Sequence, residues 1–209
     1  MQRNYYIVGL ILVVFFVISF LTNILGPIIP DIIDSFDLSL TMVSFLPFAF
    51  FVAYGVFSIP SGILVERYGE KPALVAAFLL AFAGAVLFAA FPGYAVSIVS
   101  LFLIGAGMAM LQVALNPLMR VAGGEEHFAF NLVVVQLVFG IASYISPLVY
   151  SYLVTRLDGG PIDNFVLRLL AGVVPPDMAW VSIYWVFALV SFLMLAAMIV
   201  VRLPTVELK

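Results

Sequence analysis

The chain has 209 residues, of which 66% are hydrophobic and only 9% are Asp, Glu, Lys or Arg. Soluble domains carry about 25% charged residues, so this composition excludes an ordinary soluble protein and predicts an integral membrane protein. The net charge of −3 gives no basic surface for a nucleic acid, and the absence of cysteine excludes disulfides, thiolate metal sites and thiol catalysis.

Six apolar segments are long enough to cross a bilayer, which takes roughly 20 residues in an α-helix. The predicted fold class is therefore an all-α polytopic membrane protein, because backbone groups in lipid must hydrogen-bond within the protein. Strands of membrane β-barrels alternate apolar and polar residues over about 10 positions, whereas these segments are continuously apolar. One domain is predicted over residues 1–209, with spans at 5–29, 40–65, 72–91, 94–119, 128–154 and 179–201.

Span 1 is interrupted near its end, in the sequence TNILGPIIP. A proline within a helix removes one backbone hydrogen bond and frees a carbonyl one turn earlier. Asn23 stands just before this interruption, and its side-chain amide is costly in lipid unless it has a partner. Asp31 follows at the mouth of the span, where both a solvated loop carboxylate and a proton-carrying group fit its position.

The connection between spans 2 and 3 is short and concentrates charge in the sequence GILVERYGEK. Gly69 suits a turn position that needs a positive φ. Arg67 and Lys71 fit the excess of basic residues in cytoplasmic loops. On these grounds alone, an anchoring turn is a sufficient explanation of the segment.

Spans 4 and 5 contain three further amides. Gln112 and Asn116 are four residues apart and share one face of span 4, just before a proline. Gln136 in span 5 lies at the depth of Gln112, counted at about 1.5 Å per residue, whereas Asn23 lies beyond the midplane. Such amides either join neighbouring helices or face a polar cavity, and the three together favour a cavity. Spans 1 and 4 each carry an amide and then a proline in the last third, and these two features are related by inversion, which is typical of transporters built from inverted three-helix repeats.

The longest connection covers residues 155–178 and is predicted to lie outside the cell. Its apolar residues at helical spacing, Phe165, Val166, Leu169 and Leu170, fit a short helix at the membrane interface. The alternative is a lid over a substrate site. His127, the one histidine, is expected to be a solvated loop residue, so neither a metal site nor a cofactor is predicted.

Orientation follows from the basic residues in short loops. With the N-terminus inside, the inner side holds Arg3, Arg67, Lys71, Arg120, Arg202 and Lys209. The outer side holds only Arg156 and Arg168. This excess predicts a multi-pass protein of the inner (plasma) membrane with both termini in the cytoplasm.

The connection between spans 2 and 3 also resembles a family signature. Its residues match the pattern G-x-L-x-D-R-x-G-x-K, with Glu in place of Asp, which is typical of the major facilitator superfamily. The resemblance covers the whole chain as the first six of that fold's twelve helices, arranged as two inverted three-helix repeats. It implies a loop motif that sets the conformational equilibrium and contacts the second half, formed by Gly62, Glu66, Arg67, Gly69 and Lys71.

Three segments are similar to the fucose and glucose–galactose symporter branch of that superfamily: IIPDIIDSFDLS, LIGAGMAMLQVALNP and HFAFNLVVVQLVFG. The resemblance implies a secondary active transporter that moves a monosaccharide by alternating access, with proton coupling. Where the branch carries an acidic residue in helix 1, this chain has Gly26, which leaves Asp31 as the candidate proton site. The expected substrate-binding residues are Gln112, Asn116, Gln136 and Asn23.

The partners expected are a small sugar, membrane lipid and a second six-helix half, either a copy of this chain or a C-terminal half. A natural half-transporter, a fragment and one member of a pair all fit the sequence. The alternatives to sugar transport are another small solute, or a non-transporting assembly partner or sensor on the same fold. No paired carboxylates, Ser/His pair or metal constellation is present to favour an enzyme.

Overall fold

The computed structural model of the chain describes residues 4–203. Within them, six segments are long and apolar enough to cross a membrane, which confirms the all-α class and the six predicted spans. The α-helices are α1 (Tyr5–Asn23), α2 (Leu25–Phe36), α3 (Leu40–Tyr68), α4 (Glu70–Ala90), α5 (Tyr94–Gly123), α6 (Phe128–Leu157), α7 (Phe165–Val173) and α8 (Ser182–Val200). The first span consists of α1 and α2, and the short helix α7 lies between the fifth and sixth spans.

Span 1 is longer than predicted, and its helical hydrogen bonding is interrupted at Ile24, where the backbone keeps helical dihedral angles. The predicted end at residue 29 was wrong, because the helix continues to Phe36. Pro27 has no N–H to bond the carbonyl of Asn23, so the helix is interrupted between α1 and α2. Beyond the break, one face of α2 is buried against the bundle, and this packing extends the helix past the apolar run. The buried residues are Leu25, Ile28 and Ile32.

A single residue, Gly69, joins α3 to α4. Its φ of 85° lies in the left-handed region that glycine adopts without strain, which confirms the predicted turn. The Gly69 N–H donates to the Val65 carbonyl at 2.8 Å and closes α3. Pro72 falls in the first turn of α4, where a missing N–H removes no helical hydrogen bond.

Long-range hydrogen bonds show which helix ends lie together. The Asn4 amide donates to the Ala122 carbonyl at 3.0 Å, joining the start of α1 to the end of α5. The Tyr94 hydroxyl donates to the Met42 carbonyl at 2.9 Å, joining the starts of α5 and α3. The spans therefore run alternately in opposite directions. We call one end of the bundle the basic end (Arg67, Lys71, Arg120, Arg202) and the other the acidic end (Asp31, Asp34, Asp37, Asp158, Asp163, Asp177).

The helix α5 packs closely between α3 and α4, and glycines permit that approach. A Cβ added to Gly105 would collide with the backbone of Phe50 in α3. A Cβ added to Gly107 would lie 2.6 Å from the Ala77 carbonyl oxygen in α4. Small residues at such crossings let two membrane helices gain dispersion contacts along their backbones.

The helix α1 packs chiefly against α6, and two buried serines join them. The Ser19 hydroxyl donates to the Phe139 carbonyl at 2.6 Å. The Ser146 hydroxyl donates in the opposite sense, to the Phe20 carbonyl at 2.8 Å. Hydrogen bonds between membrane helices contribute about 0.6–2 kcal/mol each, so this pair fixes the register of α1 on α6.

The Gly105→Ala variant is expected to be less stable than the natural chain by about 1–3 kcal/mol, because the added methyl forces α5 away from α3. Thermal unfolding in detergent micelles measures the loss. The control is Gly55→Ala in α3, where an added Cβ meets nothing within 4 Å. Equal melting temperatures for the two variants would contradict the close α3–α5 contact.

Candidate substrate-binding site

Gln112 on α5 is hydrogen-bonded to Tyr54 on α3. The Tyr54 hydroxyl donates to the side-chain oxygen of Gln112. Because that oxygen is occupied as an acceptor, the two N–H donors of the amide remain for another group. Gln112 is half-buried, so its side chain is partly accessible from outside the six-helix bundle.

Asn116 and Gln136 have no such partner. Asn116 lies one turn from Gln112 on α5, as predicted, and Gln136 lies on α6; both are exposed. Neither forms a hydrogen bond with another residue in the range 4–203. An amide without a partner is costly in hydrocarbon, so both side chains require water, a ligand or a second protein surface.

The two helices that carry these amides pack mainly against different neighbours. The helix α5 packs against α3 and α4, whereas α6 packs mainly against α1. Among the described residues no hydrogen bond joins Gln136 to Gln112 or Asn116. The structure thus pairs Gln112 with Tyr54 and leaves Gln136 exposed on α6.

Asn23 is turned toward its own helix. Its amide nitrogen donates to the Ser19 carbonyl at 2.8 Å and to the Ser19 hydroxyl at 3.2 Å. The same serine hydroxyl donates to Phe139 of α6. Asn23 therefore braces the break in span 1 and the α1–α6 contact, and only its side-chain oxygen remains for a ligand.

Asp31 on α2 is paired with Tyr150 on α6, whose hydroxyl donates to the carboxylate. Asp31 is half-buried and lines a cavity of about 500 Å³ at the acidic end. This acidic-end cavity is also lined by Asp34, Ser35, Asp158, Asp177 and Trp180. The Asp31 carboxylate therefore belongs to helix α2 and not to a loop. It lies at the edge of the acidic-end cavity, and its hydrogen bond joins the first span to the fifth.

Sequence reasoning missed Tyr54 and Tyr150, the partners of Gln112 and Asp31. A signal was present, since most buried tyrosine hydroxyls have a hydrogen-bond partner. The partners could not be assigned, because they lie 58 and 119 residues away in the chain.

The predicted loop motif lies at the basic end, around the α3–α4 turn. The Lys71 ammonium donates to the carbonyls of Ile199 and Val201, at 2.8 Å each, and so caps the end of α8. Glu66 and Arg67 are exposed and form no ion pair with the residues described. Lys71 therefore acts within the bundle, whereas Glu66 and Arg67 are available to another surface.

Comparison with known proteins decides the family. A family model described as the Major Facilitator Superfamily matches residues 11–209. The chain belongs to the major facilitator superfamily. This superfamily member is 31% identical over 150 residues to a glucose/galactose transporter of Brucella abortus, covering 70% of the chain and 36% of the relative. It is 27% identical over 209 residues to the L-fucose-proton symporter of Escherichia coli, covering 92% of the chain and 48% of the relative.

A solved structure confirms the fold of this superfamily member. A crystal structure of the Escherichia coli fucose:proton symporter, carrying a single substitution, matches with a TM-score of 0.73 and 23% identity. The match covers 98% of this chain and 51% of that chain. The chain thus has the architecture of the predicted six-helix half, and it spans half or less of the length of the curated relatives named above.

The Lys71→Met variant is expected to loosen the end of α8. Methionine keeps most of the apolar stem but removes both charge-assisted hydrogen bonds, which contribute about 1.5–3 kcal/mol each. Hydrogen exchange followed by mass spectrometry should show faster exchange over residues 198–203. The matched control is Arg67→Met, which removes an exposed charge from the same turn and should leave this exchange unchanged. Identical exchange in both variants would contradict the capping role.

Proposed function

We propose that the chain forms one half of a secondary active transporter that carries a small polar solute, a monosaccharide, by alternating access. The observation that carries the proposal is Gln112, an amide within a span whose oxygen is held by Tyr54 and whose N–H donors are unoccupied. Sugars present several hydroxyl oxygens that accept from such donors. The relatives named as glucose/galactose and fucose transporters support the same substrate class.

The second half of the transporter would cover the faces of α3 and α6. Only 28% of the most apolar stretch of α3 and 17% of that of α6 is buried, against 67% for α5. Lipid can cover the apolar part of these faces but is a poor environment for Gln136. A sugar bound between the halves would contact Gln112 and Asn116 from one side of the cavity and Gln136 from another, with the Asn23 oxygen as a further acceptor.

We propose that the transporter lies in the inner (plasma) membrane with its basic end in the cytoplasm. The excess of lysine and arginine at that end supports it. Glu66 and Arg67 are then placed to contact the second half on the cytoplasmic side. We assign them to the equilibrium between conformations, and not to the binding of sugar.

Proton coupling is assigned to Asp31. A coupling group must titrate in the membrane or at its edge. Glu70 is also buried, but it lies at the basic end beside the cap on α8. Asp31 is preferred because it contacts Tyr150 across two spans and borders the acidic-end cavity, from which protons can enter.

Counterflow in proteoliposomes tests the transport proposal. A preparation whose native mass shows two six-helix halves should exchange a labelled monosaccharide saturably for the same unlabelled sugar. Failure to exchange any monosaccharide in such a preparation would contradict sugar transport. Binding of a cytoplasmic protein without exchange would instead favour a sensor or assembly partner on the same fold.

The Gln112→Ala variant should weaken sugar binding about tenfold, as expected for the loss of a hydrogen bond worth about 0.5–1.5 kcal/mol plus its unpaired partner. Tyr54→Phe should also weaken binding, because the amide loses the bond that orients it. Tyr6→Phe, at an exposed tyrosine at the start of α1, serves as the control. Affinity equal to that of the natural chain, together with a lowered melting temperature, would assign Gln112 to helix packing.

The Asp31→Asn variant should retain counterflow but lose the acceleration of net uptake by an imposed pH gradient, because the amide cannot carry a proton. Asp34→Asn removes a neighbouring, exposed carboxylate from the same cavity and should keep the acceleration. A pH-gradient response that survives in Asp31→Asn would exclude Asp31 as the coupling site.

A further inference from the structure

The short helix α7 carries an apolar face that is not covered by any residue in the range 4–203. Four large apolar side chains on it are more than half exposed. They are Phe165 at 74%, Val166 at 56%, Leu169 at 55% and Val173 at 51%. At 3.6 residues per turn, the four fall within one arc of about 100° around the helix axis. The exposed residues therefore form a continuous stripe along the whole of α7.

The remaining sides of α7 have a different character. Leu167 and Leu170, next to the stripe, are buried and hold the helix on the bundle beside α6. Arg168 and Ala171 lie on the other side and are exposed, and Arg168 has no ion-pair partner among the described residues. The Asn164 side chain accepts from the Leu167 amide at 2.8 Å and fixes the start of the helix. One side of α7 thus packs on the protein, a second side presents the apolar stripe, and a third side carries Arg168.

The place of α7 in the chain decides what can cover the free side. It lies in the connection between α6 and α8, at the acidic ends of these two membrane-spanning helices. A helix at that level meets water above and acyl chains below. An apolar stripe flanked by a cation matches this boundary, since arginine reaches phosphate groups while its stem rests on apolar surface.

We propose that α7 is a membrane-surface anchor, seated in the phospholipid at the acidic end, with its apolar stripe among acyl chains and Arg168 at the level of the phosphates. The segment that follows α7 supplies Pro176, Asp177 and Met178 to the wall of the acidic-end cavity. Lipid contact therefore fixes one wall of the cavity that Asp31 borders. The proposed contact of α7 with lipid does not depend on which solute is transported.

The cysteine-free sequence allows a direct test, because a nitroxide label can be attached to one introduced cysteine without background. Single cysteines replace Phe165, Val166 or Leu169 on the stripe, and Arg168 or Ala171 on the other side. Power-saturation EPR in phosphatidylcholine and phosphatidylglycerol vesicles compares accessibility to oxygen with accessibility to a water-soluble nickel chelate. Leu193→Cys in α8 provides the lipid reference, and Glu126→Cys provides the aqueous reference; both side chains are exposed.

The proposal predicts an oxygen-to-nickel ratio several-fold higher at the stripe positions than at Arg168 and Ala171. The stripe ratio should approach that of the Leu193 reference. Nickel-accessible labels at all five positions would overturn the proposal, because α7 would then face water. Immobile stripe labels, shielded from both reagents, would also overturn it, because a second protein surface would then cover the stripe.

Discussion

A polar group inside the bilayer is costly unless it finds a hydrogen-bonding partner within the protein. Ser19 and Ser146 meet this requirement by bonding carbonyls across α1 and α6. The side-chain oxygen of Gln112 accepts from Tyr54, whereas its N–H donors have no partner among the described residues. Asn116 and Gln136 do not meet the requirement among the residues described, and they lie on exposed faces. These two exposed amides therefore mark a surface that needs water, a ligand or a second protein surface as its hydrogen-bonding partner.

The same contacts couple the proposed binding site to the ends of the helices. The backbones of α3 and α5 are in close contact at Gly105, and Tyr54 is hydrogen-bonded to Gln112 between the same two helices. The helix α3 then leads through Gly69 to Lys71, which caps α8. If a second half displaced the α3–α4 turn, Lys71 would pull on the end of α8, and α3 would shift Tyr54 and with it the Gln112 amide. This arrangement suits a transporter in which a loop sets conformation without touching the solute.

Much of this fold could be predicted from sequence, because spans and turns are local properties. The apolar runs located all six spans, Gly69 identified the α3–α4 turn, and apolar spacing located α7. The end of span 1 was missed because α2 is stabilised by Ile28 and Ile32 packing on other spans, not by its own apolar run. The hydrogen-bonding partners Tyr54 and Tyr150 were missed because they lie on other helices, far away in the sequence. The pairing of Gln112 with Tyr54 depends on the register of two helices, which the periodicity of neither one determines.

In the proposed transporter, the Gln112 amide that is hydrogen-bonded to Tyr54 donates to a bound sugar. The chain has three glutamines, Gln2, Gln112 and Gln136, so ¹⁵N labelling of the glutamine side chains yields three amide groups with two proton cross-peaks each. NMR of the labelled protein during a monosaccharide titration, with Gln112→Asn to assign its signal, measures the contact directly. The account predicts a saturable shift of the Gln112 amide protons and a constant Gln2 signal. Saturable sugar binding that leaves the Gln112 signal unmoved would contradict it.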